Sequence, residues 1–312
     1  MTEEFNQFTQ LVRNIAPDGR LLRVWRLTGG VSAQVTGLEI QRRDGQTQKW
    51  VVRSHGPVDL AANPQIAADE FRLLRLLYEA GLAVPEPIDV ESSGKIFGTP
   101  CLVMEYIEGE PEFAPADVLD FCAQLARHLS FIHRVDISGA DWSFLPQTGK
   151  GLGERPARLD ESLGEGRIRD VLETVWPLPA HNQPVLLHGD YWPGNVLARG
   201  GQVVAVIDWE DMARGDQLID LANSRIEVLW AYGFEAMAHY TAVYRALMPD
   251  VDVTHLPYWD LCMALQPAFK IAEWADSVEH EAVMRERHGW FVAQALDKLR
   301  LNEMTESDEN VD

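Results

Sequence analysis

The stretch HGDYWPGNVL, residues 188–197, holds more polar chemistry than an ordinary surface turn needs. Asp190 and Asn195 stand five positions apart, on either side of the bend Trp192-Pro193-Gly194. Such a bend can aim both side chains at one point. Two acid or amide oxygens that meet there could bind a cation, could accept the proton of a hydroxyl, or could have no ligand at all.

A second acid follows at the end of a predicted hairpin. Residues 195–210 read as two strands that turn at a glycine pair, and Asp208 ends the second strand. The hairpin is expected to bring Asp190, Asn195 and Asp208 to one end. Carboxylate and amide oxygens suit Mg²⁺, which substrate phosphates usually complete. With Asn195 and Asp208 on the metal and Asp190 accepting a hydroxyl proton, the set would match kinase-type phosphoryl transfer.

The residues before about 105 read mainly as strands with one helix. The turn Asp44-Gly45 between two alternating runs predicts a hairpin. Asn63-Pro64 reads as a helix start and Gly81 as a stop, which predicts a helix over 64–80. This part of the chain is therefore predicted to be strand-rich.

Helical patterns dominate the rest of the chain. Helical spacing of apolar residues is found over 114–135, and 218–300 also reads as helix. The fold class is thus α+β, with a small strand-rich lobe over 1–105 and a larger helical lobe over 106–302. The polar residues 303–312 are expected to form a disordered acidic tail.

A metal-bridged nucleotide also needs a cover for its phosphates and an organising cation. The stretch LTGGVSAQV (27–35) places Gly30 and Ser32 at a turn, where glycine permits close approach and the hydroxyl can donate. Arg53, at the end of a strand, is the candidate cation, and Glu70, early in the following helix, is its candidate partner. Taken singly, Gly30 and Ser32 read as part of an ordinary turn, and Glu70 reads as a solvated helix residue.

Composition narrows the possible partners. The chain has 312 residues and a net charge of −21, which disfavours nucleic-acid binding and is compatible with a cationic small molecule. Its three cysteines form no Cys-x-x-Cys pair, so neither a disulfide framework nor a zinc site is indicated. The N-terminal residues lack a signal-type apolar region, and no apolar run approaches a membrane span. We expect a cytoplasmic protein that binds no membrane.

Three stretches together resemble the aminoglycoside phosphotransferase and choline kinase-like family. They are HGDYWPGNVL (188–197), VIDWEDMARGDQLIDLA (206–222) and LVMEYIEGE (102–110). The resemblance covers residues from about 25 to 225 and implies a bilobal, protein-kinase-like fold. It also implies ATP- and Mg²⁺-dependent transfer of the γ-phosphate to a hydroxyl of a small molecule, of the aminoglycoside, choline-like amine, amino acid or sugar class.

The resemblance implies residue roles on the nucleotide side. The backbone from Glu105 to Ile107 lies where the family's interlobe hinge contacts adenine. By the same resemblance, Ser32 lies in the phosphate-covering loop, and Arg53 and Glu70 form the lobe-bridging ion pair. Arginine stands where protein kinases have lysine, but its fixed charge and forked donors preserve the role.

The resemblance implies further roles around the catalytic loop. Asp190 matches the catalytic Asp that orients or deprotonates the acceptor hydroxyl, and Asn195 and Asp208 match the Mg²⁺ ligands. Asp220 matches a buried acid that braces this loop from behind, and His188 matches a histidine that supports its geometry. The sequence departs from its relatives at Ala33-Gln34, where an Asn is frequent, and at Gln217, where a Pro is frequent.

Two other functions stay open. A protein kinase is disfavoured because the sequence has no G-x-G-x-x-G loop and no Ala-Pro-Glu segment after Asp208. A non-catalytic nucleotide-binding regulator is disfavoured because Asp190, Asn195 and Asp208 are all present. An aromatic and acidic series in the helical part reads either as an acceptor pocket or as core plus solvated face; its members are Trp230, Tyr232, Trp259, Asp260, Glu273, Trp274 and Asp276.

Overall fold

The structure is a computed structural model that describes residues 3–27, 33–138, 142–148 and 151–309, the last eight without side-chain detail. Two compact units make up the chain. The N-terminal unit comprises Met1–Glu110, Leu197–Arg199 and Val204–Glu210, and the C-terminal unit comprises Pro111–Val196, Gly200–Val203 and Asp211–Asp312.

The division between the units differs from the predicted lobes at the hairpin. Asp208 was predicted in the helical lobe, yet its segment belongs to the N-terminal unit. The hairpin comes very close to the chain at Gly109. A Cβ at this position would lie 2.9 Å from the Val204 side chain and 3.1 Å from the Ala198 carbonyl oxygen. The hairpin strands therefore pack closely on the end of the N-terminal segment.

The N-terminal unit is built on an antiparallel five-stranded sheet in the order β1-β2-β3-β5-β4. The predicted turn at Asp44-Gly45 connects β2 to β3, and Gly45 has the left-handed φ of +85° that this turn requires. The strands of the chain are β1 (Arg20–Arg26), β2 (Ala33–Gln41), β3 (Thr47–His55), β4 (Pro87–Glu91), β5 (Cys101–Glu105), β6 (Glu110–Pro111), β7 (Val185–Leu187), β8 (Val196–Arg199), β9 (Gln202–Val206) and β10 (Ala213–Gly215).

An N-terminal helix that the sequence analysis did not predict completes the core of this unit. Helix α1 spans Glu3–Ile15 and buries Phe8, Leu11 and Val12. These side chains belong to one apolar cluster with Leu38 and other residues of the sheet. Intervals of three and one positions place these three residues on one face of the helix. Charged and amide residues occupy much of the rest of the helix.

A short helix also precedes the predicted one. Helix α2 spans Pro57–Ala62, and α3 spans Ile66–Glu79 rather than 64–80. Asn63 does not cap α3, because its Oδ1 accepts a hydrogen bond from the Gln65 N–H and its Nδ2 donates to Asp69. The polar side chain instead turns the chain from one helix into the next.

The C-terminal unit is mainly helical, which confirms the predicted α+β class. Its central ion pair joins Arg225 and Asp260 through two bonds of 2.9 and 3.0 Å, and Gln294 also donates to Asp260. Asp260 is fully buried and is thus part of the core. The helices of this unit are α4 (Val118–His133), α5 (Glu165–Val175), α6 (Leu218–Tyr232), α7 (Phe234–Leu247), α8 (Leu256–Met263), α9 (Ile271–Trp274) and α10 (Val278–Glu309).

The last helix extends into the segment expected to be disordered. Helix α10 ends at Glu309, so residues 303–309 are helical. The segment contains neither Gly nor Pro, and Glu and Met favour helix. Across the described part of the chain, none of the helices combines the length and the apolar character that crossing a membrane requires.

Candidate active site

The predicted proximity of Asp190 and Asn195 is observed in the loop between β7 and β8. A 3-10 turn over Pro193–Asn195 carries Asn195 back toward Asp190. The Asn195 Nδ2 donates to the Asp190 backbone carbonyl at 2.9 Å and to its Oδ2 at 3.1 Å. These two bonds fix the carboxylate of Asp190 relative to its own backbone.

The same bonds leave Asn195 suited to a metal. Because Nδ2 is engaged by Asp190, the carbonyl oxygen Oδ1 is the atom that can bind a cation, and among the described residues no hydrogen bond to it is found. Asn195 is buried, with 6% of its surface exposed. An oriented amide oxygen beside a carboxylate fits a hard divalent ion such as Mg²⁺.

Asp220 accepts two backbone hydrogen bonds from the start of this loop. Its Oδ2 accepts the His188 backbone N–H at 2.7 Å, and its Oδ1 accepts the Gly189 N–H at 3.0 Å. Asp220 has no exposed surface and lies in the first turn of α6, so the loop is attached to a buried helix. Burial alone would raise the pKa of Asp220, but its bond to His133 and the nearby His188 hold the pKa below its ordinary value.

His188 supports the loop through its ring. The backbone N–H of Asp190 donates to the His188 Nδ1 at 3.2 Å, so this nitrogen carries no proton. The ring is fully buried. Behind it, His133 lies 3.3 Å from Asp220 and bonds to the Tyr244 hydroxyl at 2.6 Å. No sequence pattern connects His133 to this network, because Asp220 and Tyr244 lie far along the chain from it.

Gly189 is required by close packing. Its φ is +87°, and a Cβ there would lie 2.0 Å from the backbone carbonyl oxygen of Asp211. We expect Gly189→Ala to lower the free energy of unfolding by about 2–3 kcal/mol, since it adds backbone overlap to a left-handed conformation. Urea unfolding of Gly200→Ala is the control, because Gly200 is left-handed with no atom within 4 Å. Equal losses in both variants would contradict this account.

Arg53 forms the centre of the charged cluster in the N-terminal unit. It extends from β3, is 5% exposed, and its Nη2 lies 2.5 Å from both Asp208 Oδ1 and Glu210 Oε2. Its Nε lies 3.7 Å from the Glu70 carboxylate on α3, so the predicted Arg53–Glu70 pair is present. Burial alone would lower the pKa of Arg53, but the attraction of the three carboxylates raises this pKa above its ordinary value.

Glu70 also holds the segment that carries Asp208. Burial would raise the pKa of Glu70, yet Arg53, His55 and a hydrogen bond from the Trp209 backbone lower it. Asp208, next to Trp209, adopts φ +67°, a left-handed conformation that is uncommon outside glycine. An uncommon backbone conformation is kept where contacts with the surrounding structure stabilise it. Here the ion pair with Arg53 holds the Asp208 side chain.

The segment predicted to contact adenine follows β5. The Glu105 N–H donates to the Glu86 carbonyl and the Tyr106 N–H to the Lys49 carbonyl. Lys49 also pairs with Glu108 at 2.5 Å. The segment from Glu105 to Ile107 is therefore anchored to the sheet at its first two residues.

Several predicted features lie beyond these observations. Gly30 and Ser32 fall outside the described residues. Asp190 and Asn195 belong to the C-terminal unit and Asp208 to the N-terminal unit, so their meeting at one point stays a prediction. His55 was not predicted as part of the cluster, although its position two residues after Arg53 places it on the same side of β3.

Solved phosphotransferase structures resemble the chain over nearly its whole length. A putative aminoglycoside phosphotransferase from Ralstonia eutropha JMP134 covers 93% of this chain and 98% of its own, with 16% identity and a TM-score of 0.58. Amicoumacin kinase, solved with AMP-PNP, Ca²⁺ and Ami, covers 94% of this chain and 96% of its own, with 14% identity and a TM-score of 0.60. The fold is therefore that of protein-kinase-like small-molecule phosphotransferases.

The sequence itself assigns the family. Residues 28–247 match the phosphotransferase enzyme family, and the chain belongs to that family. Among curated relatives, acyl-CoA dehydrogenase family member 11 from Rattus norvegicus is 27% identical over 279 residues, which cover 76% of this chain and 34% of the relative. The chain thus spans about a third of the length of this relative.

Proposed function

We propose that this phosphotransferase uses ATP and Mg²⁺ to phosphorylate a hydroxyl of a small molecule. One observation carries the proposal: Asn195 donates twice to Asp190 and keeps its amide oxygen for a cation. One side chain thus orients the candidate base and offers a metal ligand. A loop without catalytic duties has no need of this arrangement.

Asp190 is proposed to act on the acceptor. Its carboxylate would accept the proton of the acceptor hydroxyl as that oxygen bonds to the γ-phosphorus, while the bond from phosphorus to the β–γ bridging oxygen breaks and ADP leaves. The Asn195 bonds and the attachment to Asp220 restrict the loop before substrate arrives. Positioning of this kind is the main protein contribution in phosphoryl transfer.

Arg53 and the hinge are proposed to bind the nucleotide. Three carboxylates hold Arg53 charged, and its forked donors suit phosphate oxygens. Asn195 and Asp208 would hold Mg²⁺, which supplies neutralisation of phosphate charge when bound. The backbone from Glu105 to Ile107 would contact the base. Amicoumacin kinase was solved with an ATP analogue and a divalent ion, which supports both parts of this proposal.

The acceptor is proposed to be a small alcohol of the aminoglycoside, choline-like amine, amino acid or sugar class. The net charge of −21 favours a cationic member. Asp260 supplies no acid for such an acceptor, because Arg225 and Gln294 bind its carboxylate in the core. Glu273 and Asp276, which are exposed, are the acids of the aromatic series that solvent can reach.

A coupled assay of ADP release across acceptor classes tests the function. The panel should hold aminoglycosides, amino alcohols, amino acids and sugars. It should also hold acyl thioesters that carry a hydroxyl group, because the curated relative is named as a member of the acyl-CoA dehydrogenase family. We expect transfer to at least one small alcohol and none to protein substrates. Phosphate incorporation into proteins would favour a protein kinase, and calorimetric ATP binding without turnover on any acceptor would favour a non-catalytic regulator.

A further inference from the structure

Three side chains capable of binding a metal meet in the N-terminal unit. One ring nitrogen of His55, one carboxylate oxygen of Asp59 and one of Glu210 lie within 4.8 Å of one another. His55 ends β3, Asp59 lies in α2, and Glu210 follows β9. Bonds of about 2.0–2.2 Å to one Zn²⁺ would bring such atoms only about an ångström closer together.

The surroundings of His55 point to a ligand. The residue is 3% exposed, and its Nε2 lies 3.0 Å from the Glu70 Oε2. Both ring nitrogens are buried and neither has a hydrogen bond of good geometry within the described ranges, although Nε2 is in close contact with Glu70. A histidine that faces a carboxylate with one nitrogen and keeps the other unpaired has the arrangement of metal-binding histidines. A buried unpaired nitrogen otherwise calls for an explanation.

The charge of the cluster also favours a cation. Several carboxylates lie close together in this cluster. Arg53 contacts Glu70, Asp208 and Glu210, and Asp59 adds a fourth carboxylate beside Glu210. A divalent ion would add positive charge beside these carboxylates. Glu210 contacts Arg53 through its Oε2 and is also one of the three residues that offer a ligand atom.

We propose that His55, Asp59 and Glu210 bind a divalent transition ion of the Zn²⁺ class. The mixed nitrogen and oxygen donors suit Zn²⁺ better than Mg²⁺, which prefers oxygen alone. The proposal does not depend on phosphotransfer, although Glu210 shares its contact with the Arg53 Nη2 with Asp208, one of the proposed Mg²⁺ ligands. Its ion would link α2 and β3 to the segment that follows Asp208.

Zinc binding to the chelator-treated protein tests the site. ZnCl₂ is titrated in saturating MgCl₂, which occupies oxygen-only sites, and bound zinc is measured by equilibrium dialysis and calorimetry. We expect Asp59→Asn to bind one Zn²⁺ fewer per chain than the wild type, or to bind it about 100-fold more weakly. Asp44→Asn is the matched control, because Asp44 also accepts a backbone N–H in a turn. Zinc at other histidines cancels in this comparison.

Thermal unfolding provides a second measurement. Zn²⁺ at a hundred times its Kd should raise the Tm of the wild type and Asp44→Asn by about 5 °C and leave Asp59→Asn nearly unchanged. Equal zinc binding and equal Tm shifts in all three proteins would overturn the proposal. Since no acceptor or nucleotide is needed, a failure of the proposed kinase function would leave these results unaffected.

A spectroscopic measurement decides the case in which Asp59→Asn itself unfolds. The X-ray absorption of zinc bound to the wild-type protein should then show one imidazole together with oxygen ligands. No imidazole, or two, would overturn the assignment of His55.

Discussion

Asp190→Asn is expected to lower the rate of phosphoryl transfer by about 10³-fold, since a positioned general base contributes about 10²–10⁴-fold. The amide cannot take the acceptor proton, but its oxygen can still accept the hydrogen bond from Asn195, so the loop should keep its shape. Nucleotide affinity should change little, because Arg53 and the hinge belong to the N-terminal unit. The coupled assay gives the rate and calorimetry gives the ATP affinity.

Asp136→Asn is the matched control, because it removes one exposed carboxylate from the same unit. Its turnover should equal that of the wild type. Near-normal turnover of Asp190→Asn on the acceptor found in the panel would show that Asp190 is not the base. A parallel loss of ATP affinity would show that the substitution acts on the nucleotide instead.

Asp220→Ala is expected to lower the free energy of unfolding by about 3–5 kcal/mol, the range for breaking a buried charged network. The substitution removes the buried carboxylate that accepts the N–H groups of His188 and Gly189 and that lies beside His133. Urea unfolding measures the change, and the Tm should fall by about 10 °C. Activity should fall with it, because the loop loses its attachment to α6.

The contribution of Asp220 should also depend on pH. The pKa of Asp220 is lower in the folded state than in the unfolded state. Its stabilisation is therefore complete above the ordinary aspartate pKa of about 4 and is lost as the pH falls through the folded-state pKa. The difference in stability between wild type and Asp220→Ala should therefore shrink in acid. Asp250→Ala, at an exposed turn, should show neither effect. A loss at Asp220 no larger than at Asp250 would exclude a bracing role.

Sequence patterns predicted the features whose determinants are local. The bend at Trp192-Pro193-Gly194 brings Asn195 back to Asp190 within a few residues, and two glycines make the following hairpin. Arg53 on β3 and Glu70 on α3 are close in the sequence, with only the short helix α2 between their elements, and their pairing is observed. The roles of these residues in nucleotide binding stay predictions.

Features that depend on long-range packing were not predicted. Helix α1 is an exception, because the spacing of its apolar residues already indicates a helix face that packs on the sheet, and this pattern was overlooked. Asp260 reads as a possible acceptor contact until Arg225, distant in sequence, binds it in the core. Asn63-Pro64 has the residues of a helix start, yet the Asn63 side chain contacts serve the turn between two helices.

The segmented build of the N-terminal unit has a consequence for synthesis on the ribosome. The chain emerges from its N-terminus, so residues 1–110 appear long before Val204–Glu210. Until then Arg53 lacks both Asp208 and Glu210, and only Glu70 is present to balance a charge that the finished unit buries. The N-terminal unit thus reaches its final form only after much of the C-terminal unit has been translated, and a nascent or recombinant fragment that stops at Glu110 is missing part of its own fold.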